Sequence, residues 1–372
     1  MKFENFIDRD KLYGLLENNA PTEGELNDIL NKARKLKGLN LEDVAKLLCV
    51  EDEAQIEKIL ATAAYAKDEI YGKRLVLFAP IYTGNACVNN CVYCGFRTDN
   101  RKLKRKVLTM DEIEQEALTL LRQGHKRALL ICGESRLNNT DYMVEAIRRT
   151  YAAKDEKGST IRRINVELAP MSVEDFAKLH AEKIGTYVCF QETYDPVMYK
   201  EFHPAGTPKA DYLNRLTCMD RAMAGGINDV GLGVLFGLID YRFEILALME
   251  HARHLEEDWG CGPHTVSFPR IEPAEGTPFS EHVPHPVSDK DFKKIVAIIR
   301  IAMPYTGIII STRENAEMRN ELVRFGASQI SAASRTNPGA YAQEEENTGA
   351  QFSLGDHRSL DEVIGAMIDE GY

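Results

Sequence analysis

The sequence lacks a long apolar run, a secretory signal and an excess of basic residues. A helix that crosses a bilayer needs about 20 consecutive apolar residues, and no run in this chain is that long. The first ten residues are too charged for a secretory signal. With 46 basic and 57 acidic side chains the net charge is −11, which argues against a general affinity for nucleic acid. We therefore expect a globular protein of the cytoplasm.

The chain also lacks the regular cysteine spacing of a disulfide framework. Five of its eight cysteines are isolated and lie mostly in apolar runs, as is typical of reduced thiols in a cytosolic protein: Cys49, Cys132, Cys189, Cys218 and Cys261. The other three, Cys87, Cys91 and Cys94, share one short loop. We expect this loop to carry the chemistry.

The spacing of three and then two residues lets one loop wrap a four-iron, four-sulfur cluster. Three thiolates hold three irons, and the fourth iron stays open to another ligand. Ferredoxin patterns supply four thiolates, and structural zinc sites also use four ligands. The spacing therefore predicts a [4Fe–4S] cluster that is held by Cys87, Cys91 and Cys94 and reacts at its open iron. The alternatives are a zinc knuckle and scattered core cysteines.

Residues 1–73 have helical periodicity, and we expect them to form an N-terminal helical extension. From residue 74 to residue 372, apolar runs alternate with helix-period segments. The predicted strands are 74–80, 127–132, 163–169, 186–192, 229–236, 264–270, 306–311 and 328–332. The predicted helices are 109–123, 139–154, 172–183, 208–225, 241–256, 288–303, 314–325 and 359–370. Eight alternations with continuously apolar strands predict an α/β fold, a closed (β/α)8 TIM-type barrel; an open doubly wound sheet is the alternative.

Polar side chains recur where the predicted strands end, which is the catalytic face of such a barrel. Arg335 follows the last strand between Ser334 and Thr336, and its planar guanidinium suits a substrate carboxylate. The alternative is an ion pair with a neighbouring acid. Arg313 and Glu314 follow the seventh strand, and we expect these two to pair with each other.

The loop with Tyr93 before its last cysteine resembles that of the radical S-adenosylmethionine enzymes. The resemblance implies that the open iron binds the amino and carboxylate groups of S-adenosylmethionine, and that one electron then releases a 5′-deoxyadenosyl radical. Gly133, Glu134 and Ser135 resemble the segment that receives the amino group of that cofactor in the family. Tyr93 would lie near the adenine, or simply pack under the cluster. The cofactor's ribose and carboxylate would contact Glu167, Gln191 and Thr193, unless these form a buried layer bonded to the backbone.

Longer stretches, among them FAPIYTGNACVNNCVYCGF and SAASRTNPGAY, resemble the tyrosine lyase branch, which contains 2-iminoacetate synthase and the [FeFe]-hydrogenase maturase HydG. The collection of motifs favours HydG. This resemblance implies a lyase that breaks the Cα–Cβ bond of L-tyrosine into p-cresol and dehydroglycine, with Arg335 on the tyrosine carboxylate. It also implies a reducing donor such as ferredoxin or flavodoxin, and other hydrogenase maturases as partners. The alternatives are a lyase of tryptophan or another aromatic amino acid, and a non-catalytic iron–sulfur carrier.

Two further features bear on this resemblance. HydG continues into a domain whose cysteines bind an auxiliary cluster, whereas here no cysteine follows Cys261. We therefore expect tyrosine cleavage without completed synthesis of carbon monoxide and cyanide, and His264, at a position linked to extra iron in HydG, would lack that context. The basic run 102–106 is compatible with docking of an acidic electron donor, but a solvated loop is the favoured interpretation.

Overall fold

The computed structural model describes residues 4–17, 20–342 and 349–372. Eight parallel strands form a closed barrel in sequence order. They are β1 (Val76–Gly84), β2 (Arg127–Cys132), β3 (Arg163–Glu167), β4 (Thr186–Glu192), β5 (Asp229–Val234), β6 (Thr265–Ser267), β7 (Gly307–Ile310) and β8 (Gln329–Ser331). Val76 of β1 pairs with Gln329 of β8, which closes the barrel. The predicted (β/α)8 fold is therefore confirmed, and the open sheet is excluded.

Helices precede the barrel and alternate with its strands. Before the barrel come α1 (Arg9–Leu16), α2 (Glu23–Ala33), α3 (Leu41–Leu48) and α4 (Glu53–Tyr71). Around it come α5 (Met110–Arg122), α6 (Thr140–Ala152), α7 (Val173–Ala181), α8 (Tyr199–Phe202), α9 (Tyr212–Leu216), α10 (Cys218–Ala224), α11 (Tyr241–Trp259), α12 (Asp289–Ala302), α13 (Ala316–Phe325) and α14 (Leu360–Asp369). No helix among the described residues is long and apolar enough to cross a membrane.

Several predicted elements differ from those observed. The first strand, predicted at 74–80, extends to Gly84, and α8 was not predicted. The predicted helix 208–225 is divided into α9 and α10 at Thr217, whose hydroxyl donates to the carbonyl of Leu213; such back-bonding competes with regular helix geometry. The predicted strand 264–270 shortens to Thr265–Ser267. Pro269 has no N–H to continue the ladder, and beyond it Arg270 makes only an isolated bridge to Phe236.

The predicted N-terminal extension is joined to the barrel at a buried carboxylate. Asp195 is fully buried just beyond the end of β4. It accepts hydrogen bonds from Arg9 Nε at 2.9 Å and Tyr13 Oη at 3.0 Å, both on α1. It also accepts from the backbone N–H groups of Val197 and Met198 at 2.8 and 3.2 Å. The same side chain therefore fixes α1 and the turn that follows β4.

We predict that Asp195→Ala lowers the free energy of unfolding by about 2–3 kcal/mol, because it leaves four partly buried or exposed donors without their shared acceptor and empties a buried site. Urea unfolding followed by circular dichroism measures this change. Asp28→Ala, which removes an exposed carboxylate from α2, is the control and is expected to stay within about 0.5 kcal/mol of the wild type. Equal effects of the two substitutions would contradict the anchoring role.

Candidate active site

The cysteine loop that follows β1 is fixed against the end of β2. The N–H of Val88 donates to the carbonyl of Glu134 at 2.8 Å. Gly133 permits this approach, because a Cβ at that position would lie 2.5 Å from the carbonyl oxygen of Ala86. The structure therefore brings the segment of Gly133, Glu134 and Ser135 against the loop of Cys87, Cys91 and Cys94.

The three thiols of the loop fit a cluster better than a single ion. Their sulfur atoms are not all within 4.8 Å of one another, as three ligands of one ion would be. They still influence each other, since burial and then the charges of Cys91 and Cys87 raise the pKa of Cys94 to about 12. Three thiols on one loop, spaced too widely for a single ion, are the donor set that a [4Fe–4S] cluster with one open iron requires.

Glu134 and Ser135 lie at the rim of the loop. Glu134 Oε2 accepts from Asn89 Nδ2 at 2.6 Å, and Asn89 itself stands between Cys87 and Cys91. The hydroxyl of Ser135 accepts from the N–H of Leu137 at 3.0 Å and caps a short 3-10 turn, Arg136–Asn138. Of the two, only Glu134 presents a charged group beside the loop.

Tyr93 lies in a buried hydrogen-bonded chain. Its phenol is 2.7 Å from Nε2 of His203, whose Nδ1 is 2.8 Å from the carbonyl oxygen of Tyr199. A carbonyl only accepts, so Nδ1 carries the proton and Tyr93 donates to Nε2. Burial lowers the pKa of His203 to about 2, which keeps the imidazole neutral. The ring of Tyr93 is thereby held in the wall of a cavity.

This cavity lies inside the barrel at the carboxyl ends of the strands, and it has a volume of about 1180 Å³ counting its open mouth. Cys94 forms part of its wall, so the predicted cluster and the cavity adjoin. Its polar lining includes Tyr82, Tyr93, Glu167, Glu192, Lys209, Ser311, Thr312, Arg313, Ser331, Ser334, Thr336 and Gln351. Its apolar lining includes Phe78, Leu129, Ile131, Val188, Phe190, Leu235, Ile271, Ile309 and Phe352.

At the end of β4 the cavity is lined by Glu192, not by the predicted Gln191 or Thr193. The β4–β5 register shifts between Phe190 and Glu192, and Glu192 has φ +71°. Its carboxylate is 2.6 Å from Lys209 Nζ and 3.9 Å from Arg215 Nη2. Gln191 is buried with neither amide atom hydrogen-bonded within the described ranges, and the Thr193 hydroxyl accepts from the N–H of Asp195. The pattern of apolar and polar residues along the strand did not predict this bulge.

Glu167 at the end of β3 does line the cavity. Burial, followed by the negative charge of Glu192, raises the pKa of Glu167 to about 7. No hydrogen bond to its carboxylate occurs in the part of the chain that is described. Glu167 is thus a carboxyl group whose charge changes near neutral pH inside the cavity.

The structure separates the three residues predicted after β8. Ser334 and Thr336 line the cavity, whereas Arg335 lies in a different depression next to the start of α14. Neighbouring residues of an extended chain point to opposite sides, so the two hydroxyl residues and the arginine between them cannot share one side. Arg335 therefore does not line this cavity, and its role on the substrate carboxylate stays a prediction.

The guanidinium in the cavity belongs to Arg313, which the sequence analysis paired with Glu314. That pairing is wrong: Glu314 Oε1 accepts from Arg270 Nε at 2.9 Å. The guanidinium of Arg313 lies 3.5 Å from the ring centroid of Phe352 and has no carboxylate in salt-bridge contact among the described residues. Burial lowers the pKa of Arg313. A buried cation without a paired acid is costly unless a ligand supplies the negative charge.

Gln351 lines the cavity, but no motif in the sequence predicted it as a site residue. It accepts from the Tyr82 hydroxyl at 2.8 Å through Oε1, and its Nε2 lies 3.8 Å from the sulfur of Cys94.

His264 lies away from the cavity. It is exposed and precedes β6, at the amino ends of the strands, with Nδ1 3.8 Å from Asp229 Oδ1. The cavity and His264 are therefore at opposite ends of the barrel.

Two family models match the chain. The model of the radical SAM superfamily matches residues 81–252, and the model of the biotin and thiamin synthesis associated domain matches residues 267–372. The first match covers the cysteine loop and the ends of β1 to β5. The second covers the strand ends that carry Arg313, Ser334 and Thr336.

Individual proteins are similar over nearly the whole chain. The 2-iminoacetate synthase of Salmonella typhimurium is 30% identical over 361 residues, which are 95% of this chain and 90% of that protein. A crystal structure of HydG, a maturase of the [FeFe]-hydrogenase, superimposes with a TM-score of 0.95 at 47% identity and covers 99% of this chain and 80% of its own. HydG from Carboxydothermus hydrogenoformans superimposes with a TM-score of 0.89 at 43% identity, covering 98% of this chain and 82% of its own.

We predict a pH-dependent stability contribution from Glu167, which Glu167→Gln removes. Because the pKa of Glu167 is about 7 in the folded chain and about 4.5 unfolded, the wild type loses stability as pH rises from about 4.5 to 7. The variant gains up to about 3 kcal/mol relative to the wild type over this interval. Anaerobic urea unfolding at pH 5 and pH 8 measures the difference. Glu53→Gln, at an exposed position of α4, controls for removal of a carboxylate, and a difference for Glu167→Gln that is constant with pH would contradict the prediction.

Proposed function

Because the chain belongs to the radical S-adenosylmethionine superfamily, in the branch that contains 2-iminoacetate synthase and the hydrogenase maturase HydG, we propose that it breaks the Cα–Cβ bond of L-tyrosine. The products are p-cresol and dehydroglycine, and the protein is a carbon–carbon lyase with a [4Fe–4S] cluster. One observation carries the proposal: the internal cavity has a cysteine of the three-thiol loop in its wall and also the partly buried guanidinium of Arg313, which has no carboxylate partner among the described residues.

When bound, the cluster and S-adenosylmethionine supply the 5′-deoxyadenosyl radical that takes hydrogen from the amino group of tyrosine. The chain contributes the ligands and the enclosure. Cys87, Cys91 and Cys94 hold the cluster, and Glu134 at the rim of their loop offers a carboxylate to the amino group of the cofactor. The pair of Glu192 and Lys209 supports the cofactor's polar groups beside Tyr93.

Arg313 supplies the anchor for the substrate carboxylate. A guanidinium binds a carboxylate through two parallel hydrogen bonds, and its buried charge favours an anionic ligand. The contact with Phe352 holds the plane of the guanidinium in place. The apolar wall accommodates an aromatic ring and keeps water away from a reactive radical. Arg313 takes this role in place of Arg335. The hydroxyl of Ser334 remains available for a hydrogen bond to the substrate, whereas that of Thr336 donates to the carbonyl of Phe352 at 3.2 Å and can only accept.

The wider setting of the reaction is the one that the resemblance to the tyrosine lyase branch implies. A low-potential one-electron donor such as ferredoxin or flavodoxin reduces the enzyme, and other hydrogenase maturases act with it. The cysteines in the described ranges form no disulfide, which suits a reducing compartment, and we assign the reaction to the cytoplasm.

Anaerobic incubation of the cluster-loaded protein with dithionite, S-adenosylmethionine and tyrosine tests the function. We expect 5′-deoxyadenosine and p-cresol to form together, as measured by liquid chromatography with mass spectrometry. Formation of 5′-deoxyadenosine only with tryptophan would favour a different aromatic amino acid lyase. Absence of both products from a protein with an intact cluster would leave an iron–sulfur carrier.

We predict that Arg313→Gln weakens tyrosine binding about 10- to 100-fold, the effect of losing a charged hydrogen bond of about 1.5–3 kcal/mol. Calorimetric titration of the cluster-loaded protein with tyrosine measures the dissociation constant. Arg335→Gln is the matched control, because it removes a guanidinium that lies outside the cavity. The affinity of this variant for tyrosine is expected to be unchanged. A loss confined to Arg335→Gln would restore the original assignment of the carboxylate site.

A further inference from the structure

The outer side of the cysteine loop exposes apolar surface. Val88, next to Cys87, is 45% exposed, and Leu137 is 66% exposed. The hydrogen bond from Val88 to the carbonyl of Glu134 places the loop beside the turn that bears Leu137. Two exposed aliphatic side chains thus flank the cysteine loop, and neither belongs to the lining of the cavity.

A basic segment wraps the same loop. The N–H of Asn85 donates to the carbonyl of Lys106 at 3.0 Å, and Asn85 Nδ2 donates to the carbonyl of Lys104 at 3.0 Å. The guanidinium of Arg105 donates to the carbonyls of Asn85 and Phe96, each at 2.8 Å. Since Asn85 and Phe96 stand on either side of the three cysteines, the segment 101–106 is fixed next to them.

Four exposed cations lie on the two segments that flank the cysteine loop: Arg101, Lys102 and Lys104 on the basic segment, and Arg136 next to Leu137 in the turn after β2. None of the four makes a side-chain ion pair with another described residue. The chain as a whole carries a net charge of −11, so the sign of these four charges is opposite to that of the whole chain. We call the surface formed by Val88, Arg101, Lys102, Lys104, Arg136 and Leu137 the cluster face.

We propose that the cluster face binds an acidic one-electron carrier protein. The inference rests on the proposed function, because cleavage of S-adenosylmethionine consumes one electron. Each encounter moves one electron from the carrier to the enzyme, and no proton or group is exchanged. The cavity side of the loop faces cofactor and substrate inside the barrel, so a protein donor reaches the thiols from the outer side. Complementary charge steers the encounter, and the aliphatic pair supplies contact area.

The test compares a protein donor with a small uncharged reductant. The variant Lys102→Glu/Lys104→Glu reverses two charges of the cluster face. Its control, Lys35→Glu/Lys37→Glu, has the same spacing and the same change in net charge. These two lysines are exposed after α2, where Leu39 bonds to Ala302 ahead of β7. The control therefore lies toward the amino ends of the strands, at the opposite end of the barrel from the cluster face.

The rate of cluster reduction is followed by stopped-flow absorbance, which requires neither tyrosine nor p-cresol formation. With reduced flavodoxin, an acidic flavin protein, we expect the cluster-face variant to react roughly 10-fold more slowly than the wild type and to lose most of its dependence on ionic strength. The control variant is expected to react like the wild type. With photoreduced 5-deazariboflavin all three proteins are expected to react equally.

Leu137→Ser tests the apolar part of the face, with Ile368→Ser as its control, since Ile368 on α14 is 62% exposed. We expect only Leu137→Ser to slow reduction by flavodoxin. The proposal is overturned if flavodoxin reduces the cluster-face variant and its control at the same rate. It is also overturned if reduction of the cluster-face variant is slowed equally with flavodoxin and with 5-deazariboflavin. Failure of the wild type to cleave tyrosine would instead refute the proposed function and leave these rates interpretable.

Discussion

The arrangement of the site depends on the side chain of Asn89. It donates from Nδ2 to Glu134 at 2.6 Å and accepts through Oδ1 from the N–H of Lys209 at 2.9 Å. It thereby connects the cysteine loop with the end of β2 and with the segment after β4. The spacing of the thiols predicts only that they share a loop, and these two hydrogen bonds help to position that loop relative to the carboxylate of Glu134 and the backbone of Lys209. The bond to Glu134 is charge-assisted, and such hydrogen bonds are among the stronger ones in proteins.

The charges in and around the cavity explain what it can accept. Glu192 lies between Lys209 and Arg215, so its carboxylate offsets only one of these two positive charges. Arg313 has no carboxylate in salt-bridge contact among the described residues, and Glu167 is only partly ionised near neutral pH. The cavity consequently has a cationic side that favours carboxylates and an apolar wall that favours a ring. An aromatic amino acid presents both groups, which is why the geometry supports the substrate class that the resemblance implies.

Much of the fold followed from the sequence, because buried parallel strands require continuous apolar runs and each crossover requires an amphipathic helix. The cysteine loop could equally be predicted from the sequence, since its residues are close together in the chain. The errors concern side-chain direction and distant contacts. A single-residue bulge turned Glu192 into the cavity in place of its neighbours, and Arg335 fell on the other side of the chain from Ser334. Gln351 reaches Cys94 across 257 positions of sequence, and no local pattern records such a contact.

The contact between Gln351 and Cys94 also connects the cysteine loop with the proposed anchor of the substrate carboxylate. Gln351 bonds to Tyr82 and approaches the sulfur of Cys94, while its neighbour Phe352 lies under the guanidinium of Arg313. Two consecutive residues therefore touch both the cluster loop and the proposed carboxylate anchor. The radical SAM match ends at residue 252 and the second match begins at residue 267, so these residues join the two matched segments across the cavity.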